Sequence, residues 1–240
     1  MPKENKKKFL ILGASSDIGI EVVKIFIKKN WEIYAHCNSN NKKLNNLHNK
    51  NVKIIKINFL GLSDKDLVGK IKKLESLKCD AFLNLIGYID NKSFKSFNLK
   101  NAYTSLKVNS LIPFLIIQKI IKSMIKNRWG RIVQTSSIGV KFGGGKYTFN
   151  YSLSKKLNEF IPSDYKEWAK KNILINVLKI GVTNTKIHNK IHKKNIRKRI
   201  NLIPINRMAE PIEIANTIEF LLSEKNTYIT GETITISGGE

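Results

Sequence analysis

Seven short apolar runs, each separated from the next by a stretch of helical period, organise this chain from end to end. The runs lie near 8–12, 31–36, 52–57, 80–85, 131–136, 173–180 and 232–236, and the helical periods near 18–29, 41–50, 64–75, 99–126, 152–171 and 211–223. That alternation is the pattern of a parallel sheet wrapped by helices on both faces. It predicts a single-domain, doubly wound α/β fold of about seven parallel strands over residues 1–240. No Pro/Gly/Ser-rich linker, internal repeat or second composition regime marks a boundary. One segment, 183–207, breaks the rhythm: it is basic and polar, and bounded by Gly181 and Pro204. An insertion after a late strand of such a sheet is expected over the carboxyl ends of the strands, where ligands bind.

Charge is the second constraint. The 240 residues carry 43 Lys+Arg against 18 Asp+Glu, a formal net charge of +25, on an otherwise ordinary globular composition of 42% apolar residues. A basic excess attracts polyanions. Only Arg128, Arg131, Arg197, Arg199 and Arg207 are arginine, however, and bidentate phosphate and base recognition favours that side chain, so nucleic acid is not expected as a partner. The excess is also uneven. Between Trp168 and Ala209 there is no Asp or Glu, while Lys and Arg occur 11 times, including Lys186, Lys190, Lys193, Lys194, Arg197, Lys198 and Arg199. A basic lid for an anionic substrate or an acidic carrier is the expectation.

Other classes fall away. Cys37 and Cys79 form no CxxC pair, which fits free thiols in a reducing, cytoplasmic compartment. His36, His48, His188 and His192 are scattered, and no metal cluster is expected. The apolar run after Lys6-Lys7-Lys8 stops at Gly13, too short for an export signal, and stretches such as Leu111 to Ile117 fall short of a bilayer span.

Chemistry-bearing motifs follow the strands in order. Leu12-Gly13-Ala14-Ser15-Ser16-Asp17-Ile18-Gly19 leaves the first strand and opens a helix. Gly13 allows a tight turn and Gly19 a close approach of backbone to a pyrophosphate resting on the helix N-terminus. Tyr151-Ser152-Leu153-Ser154-Lys155 sets a phenol and an ammonium four residues apart on one helix face. A phenol with a reference pKa of about 10 is a poor proton donor at neutrality, and a nearby cation lowers that value. Gly130 to Ser137 is a strand ending in hydroxyls, Asn84-Leu85-Ile86-Gly87 ends the fourth strand, and Asn109 lies in the long helix. Ile180-Gly181-Val182-Thr183-Asn184-Thr185 and a closing stretch from Asn206 to Gly239 complete the series.

In this order the motifs resemble the short-chain dehydrogenase/reductase family over nearly the whole chain. Departures are Leu12 for the usual Thr, Asp17 for the middle Gly of TGxxxGIG, and Ile180 for the Pro of PGxxxT. The resemblance implies a Rossmann fold and a tetrad of Asn109, Ser137, Tyr151 and Lys155. Tyr151 would protonate a carbonyl oxygen, Ser137 would hold it, Lys155 would lower the tyrosine pKa and bind the ribose, and Asn109 would hold a relay water. The implied cofactor set is Gly13, Ser15, Ser16, Asp17, Ile18, Gly19, His36, Asn38, Asn58, Asn84, Gly87, Tyr151, Lys155, Gly181, Val182, Thr183 and Thr185. No acid ends the second strand, where Tyr34-Ala35-His36-Cys37-Asn38-Ser39-Asn40 is followed by Lys42 and Lys43, so NADPH is favoured over NADH.

The overall pattern looks closest to the 3-oxoacyl-acyl-carrier-protein reductases, in which basic residues at the positions of Arg128 and Lys171 would receive the acyl carrier protein. A sugar or nucleotide-sugar dehydrogenase of surface-glycan synthesis is an alternative, suggested by the loop Gly143 to Asn150. A non-catalytic cofactor-binding scaffold on the same fold is a third. The family resemblance implies a homotetramer. Lys156, Leu157 and Pro162 depart from its pattern, and Pro162 is expected to kink the helix that carries Tyr151.

Overall fold

Each apolar run becomes a strand of one parallel sheet: β1 (Lys8–Leu12), β2 (Glu32–Cys37), β3 (Val52–Lys56), β4 (Ala81–Asn84), β5 (Gly130–Ser137), β6 (Ile173–Ile180) and β7 (Thr233–Ile236). The structure, a computed structural model, describes residues 6–39, 41–191 and 195–240, so Lys193 and Lys194 of the basic segment lie outside the described residues. Strand order is β3-β2-β1-β4-β5-β6-β7, with every neighbouring pair parallel. The order reverses between β1 and β4, which opens a crevice at their carboxyl ends. The connecting helices are α1 (Asp17–Lys28), α2 (Lys42–Asn45), α3 (Asp64–Glu75), α4 (Leu99–Leu106), α5 (Ile112–Asn127), α6 (Phe149–Leu157), α7 (Tyr165–Ala169), α8 (Ile196–Ile200) and α9 (Pro211–Leu222).

Successive side chains of β1 explain why its sequence does not alternate. Phe9 and Ile11 pack with Val22, Phe26, Ile214 and Ile218 of α1 and α9 on one face. Leu10 and Leu12 pack with Ile71, Ile112, Ile116 and Ile120 of α3 and α5 on the other. A strand covered on both sides has no polar face to show. By length and composition the stretch Leu99–Asn127 would pass for a membrane span, beyond what its uninterrupted apolar runs suggest, but 56% of its apolar window is buried within the fold.

Three expected helices are broken, each for a local reason. The helix predicted at 41–50 shrinks to one turn, α2, in an asparagine-rich stretch where side-chain amides compete with the backbone: Asn49 Oδ1 accepts from the Asn51 N–H at 2.9 Å. The helix predicted at 99–126 is interrupted by a π turn over Lys107–Leu111, in which the Ile112 N–H reaches back to the Lys107 carbonyl. Pro113 follows in the first turn of α5 and has no N–H for the Asn109 carbonyl. That carbonyl accepts instead from Asn158 Nδ2 at 3.1 Å and Asn84 Nδ2 at 3.3 Å. The helix predicted at 152–171 stops at Leu157 and restarts as α7, a full break rather than a kink, because Pro162 has no N–H for the Asn158 carbonyl and the Asn158 side chain turns into the core.

The segment after β6 crosses the carboxyl ends of the strands. Thr183 bridges Ala209, Ile203 is buried, and Arg199 is ion-paired with Glu240. At the start of α1 the packing is tighter still: a Cβ on Gly19 would lie 2.6 Å from the Ala14 carbonyl oxygen. Gly19→Ala is therefore expected to destabilise the protein by ~1–3 kcal/mol. A lower urea midpoint at unchanged m-value is the readout; a native midpoint would show that the turn yields freely.

Candidate active site

Tyr151 sits on the first turns of α6, facing the end of β5. Ser137 lies beside the phenol, and its Oγ accepts from the Gly139 N–H at 3.3 Å. Burial pushes the Tyr151 phenol up to about 12, with the neighbouring Ser137 hydroxyl pulling the other way. Two hydroxyl side chains, Tyr151 and Ser137, thus stand together where β5 ends.

Lys155 is one turn further along and buried. Its ammonium donates to the Ile86 carbonyl at 2.7 Å, the Thr135 carbonyl at 3.0 Å and Thr135 Oγ1 at 3.2 Å. Burial pushes it down to about 7. Nζ stands 6.0 Å from the centroid of the Tyr151 ring. The ammonium is therefore hydrogen-bonded to oxygens after β4 and within β5 rather than to the phenol, one helical turn away.

Asn109, in the π turn, is likewise committed. Its Nδ2 donates to the Tyr88 carbonyl at 3.0 Å and to Ser154 Oγ at 2.9 Å, and its Oδ1 accepts from the Tyr88 N–H at 2.7 Å. Ser154 Oγ in turn donates to the Tyr151 carbonyl at 2.7 Å. Both amide hydrogens are used, so Asn109 holds the helix that carries Tyr151. Three residues in this web went unread in the sequence: Thr135, Ser154 and Asn158. Asn158 Nδ2 joins the Asn109 carbonyl to the Thr135 carbonyl, 3.1 Å from each. Ser154 and Asn158 lie three and seven residues after Tyr151, a one-face spacing that was available as a signal.

The glycine turn after β1 has its own support. Gly13 has φ +75, and its N–H donates to His36 Nδ1 at 3.2 Å; the Ala14 N–H donates to the His36 carbonyl at 2.8 Å. On the other side of the ring, Nε2 meets the Ile57 carbonyl at 2.9 Å, and Phe59 stacks on it at 4.8 Å. Only a neutral ring protonated at Nε2 makes both bonds, and burial holds its pKa at about 4. His36 therefore braces the turn from below, its two ring nitrogens both engaged with backbone. Asn84 is likewise engaged within the fold. It is buried, with Oδ1 on the Ile86 N–H at 3.1 Å and Nδ2 on Asn109.

Of the remaining candidates, Ser16 caps α1 by accepting from the Gly19 N–H at 3.1 Å, and exposed Asn58 caps the next turn through the Leu60 N–H at 3.1 Å. Ser15 and Ile18 are half-buried in the turn, and Asn38 is exposed beyond β2. Val182 and Thr183 are buried, Thr185 is half-buried, and Gly181 packs against Ser237. Asp17 is ion-paired with Lys43, and its Oδ2 accepts from the Lys186 N–H at 2.7 Å. Arg128 and Lys171 precede β5 and β6, at the amino ends of strands whose carboxyl ends carry the site. β5 is 8 residues long, which puts them about 26 Å from Ser137 within one chain.

These groups suit a dinucleotide. A Cβ on Gly13 would come within 3.0 Å of the Leu85 carbonyl, and one on Gly87 within 3.7 Å of Tyr151 Cε2 and 3.2 Å of Ile187 Cδ1. The crevice between β1 and β4 is thus floored by bare backbone, with a helix N-terminus at one end and a phenol at the other.

Residues 13–240 match the family model described as Enoyl-(Acyl carrier protein) reductase. The 3-oxoacyl-[acyl-carrier-protein] reductase FabG of Buchnera aphidicola subsp. Schizaphis graminum is 31% identical over 99% of this chain and 98% of its own length. The FabG of Aquifex aeolicus is 38% identical over 67% of this chain, an alignment that spans 64% of that protein. Among solved structures, a 3-oxoacyl (acyl-carrier-protein) reductase from Agrobacterium tumefaciens C58 with NADP bound shares the fold at a TM-score of 0.84 and 19% identity, covering 98% of this chain and 94% of that one. A family match over residues 13–240 and a full-length relative at 31% identity establish that the chain belongs to the short-chain dehydrogenase/reductase family of oxidoreductases.

Proposed function

We propose that this protein reduces a 3-oxoacyl thioester, carried by an acyl carrier protein, to the 3-hydroxyacyl form with NADPH in the cytoplasm. The observation that carries the reading is Tyr151 beside Ser137, at the end of β5 and against the backbone-floored crevice at Gly87. When bound, the reduced nicotinamide supplies a hydride to the carbonyl carbon. Ser137 donates a hydrogen bond that orients the carbonyl oxygen. The Tyr151 phenol passes its proton to that oxygen as negative charge develops there, so the C=O π bond becomes a C–H and an O–H bond. Lys155 ties the stretch after β4 to β5 itself and, while charged, favours the phenolate that Tyr151 leaves behind.

Gly13, Gly19 and Gly87 would carry the dinucleotide along the crevice. Lys43, beyond the end of β2, supports the preference for a 2′-phosphate. An acyl chain suits the site better than a sugar, because Phe149, two residues before Tyr151, packs edge-on against Phe94 and Phe97 at 4.8 and 5.9 Å, giving an apolar wall. Exposed Arg197 and Lys198 in the segment that follows β6 support docking of an acidic carrier there. Assembly of several copies is supported by exposed Leu99, Tyr103, Leu111 and Leu115, spaced along α4 and α5, with Leu153 on α6 and Phe160 just beyond it. Buried, unpaired Cys37 and Cys79 suit a reducing compartment.

Purified protein should oxidise NADPH faster than NADH with acetoacetyl thioester. Turnover of keto-sugars alone would favour the glycan reading, and no turnover of either a scaffold. Tyr151→Phe should lower kcat at least ~100-fold while cofactor affinity stays near native; an active variant would refute the proton-transfer role. Since burial depresses Lys155 to about 7, its ammonium is present below that pH and lost above it. The pH profile of kcat/KM for reduction should therefore fall as pH rises through about 7, and Lys155→Met should erase that inflection. Sedimentation velocity tests the tetramer, and a monomeric mass would exclude it.

A further inference from the structure

Asp17 stands where the family's turn has glycine, and its surroundings give the carboxylate a role. As the first residue of α1 it lies at the positive end of the helix dipole. Its Oδ1 pairs with the Lys43 ammonium, from the single turn that follows β2. Its Oδ2 accepts from the Lys186 N–H at 2.7 Å, where the segment after β6 begins. Burial works against the ionised form, but Lys43 and Lys186 together hold the carboxyl below its ordinary value. The side chain is only 20% exposed. Three stretches remote in sequence, the β1–α1 turn, the start of α2 and the segment after β6, thus converge on one internal negative charge. They also rim the crevice into which a dinucleotide's phosphates would enter.

A negative charge at this place competes with the cofactor's own. Lys43 lies beyond the end of β2, the region that meets the adenosine 2′ position in this class of fold. Its ammonium cannot serve a 2′-phosphate in full while it neutralises Asp17. We propose that Asp17 is a built-in competitor for that phosphate: its carboxylate holds Lys43 in the cofactor-free protein, must surrender it to a 2′-phosphorylated dinucleotide, and so narrows the preference for NADPH over NADH. The inference rests on the cofactor reading above. An adenosine 2′-hydroxyl carries no charge to draw Lys43 away, so NADH binds with the Asp17–Lys43 pair intact.

Fluorescence titration of native protein and Asp17→Asn with NADPH and NADH tests this. Asparagine keeps an oxygen for the Lys186 amide and removes the charge. The dissociation constant for NADPH is expected to fall about 3- to 5-fold, and that for NADH by less than about 2-fold, in line with a partly exposed ion pair. Adding Lys43→Met to Asp17→Asn should cancel the NADPH gain. Asp17→Gly, the residue the family's turn carries, should show the same selective gain and serves if the asparagine variant folds poorly. An unchanged or raised NADPH constant in both variants overturns the proposal, as does an equal gain for the two dinucleotides. Native protein that binds neither dinucleotide would instead overturn the cofactor reading on which it rests.

Discussion

The arrangement of the site depends on one carbonyl that its own helix does not satisfy. Pro113 cannot donate to Asn109, and a buried carbonyl without a partner costs free energy comparable to a lost hydrogen bond. Asn84 at the end of β4 and Asn158 just beyond α6 supply the missing donors. Through Asn158 the same junction reaches the Thr135 carbonyl in β5, which also receives Lys155. Two strands and two helix ends are thereby fixed to a common point, and Tyr151 is carried on the helix that this point anchors. Asn158 acts through its Nδ2, while its buried Oδ1 has no hydrogen-bond partner among the described residues.

The parallel sheet and its seven strands were legible in the sequence because they follow from periodicity, and the placing of Tyr151 and Ser137 in one site came from the family resemblance. A strand with both faces covered leaves a continuous apolar run, and residues on adjoining elements at the same end of a sheet meet whatever their side chains do. Orientation was not legible. His36 occupies the expected position at the end of β2, yet its ring turns inward because two backbone groups, on Gly13 and Ile57, offer it a donor and an acceptor. Lys155 turned from the phenol to backbone oxygens for a similar reason. Helix breaks were hidden where a proline disables a carbonyl four residues upstream, so the consequence appears away from the residue that causes it.

The basic excess, diffuse in the sequence, acquires structure where it meets the few acids. Glu159 gathers Lys156 and Lys179 under the catalytic helix, and Glu219 gathers Lys29 and Lys225 beneath α9. Such partly exposed pairs contribute little stability each. Their effect is to decide where positive charge stays available, and around the crevice that decision falls to Asp17.

The brace under the glycine turn has a consequence for how sequences of this kind diverge. An imidazole that accepts on one edge and donates on the other has no single replacement that does both with the same reach. A change at position 36 must therefore be met by a change in the turn or at the exit of β3. Each step alone loosens the floor of the crevice, and only the pair restores it. Those positions should drift together or not at all, so that a feature with no part in the chemistry steers which descendants of the chain remain reachable.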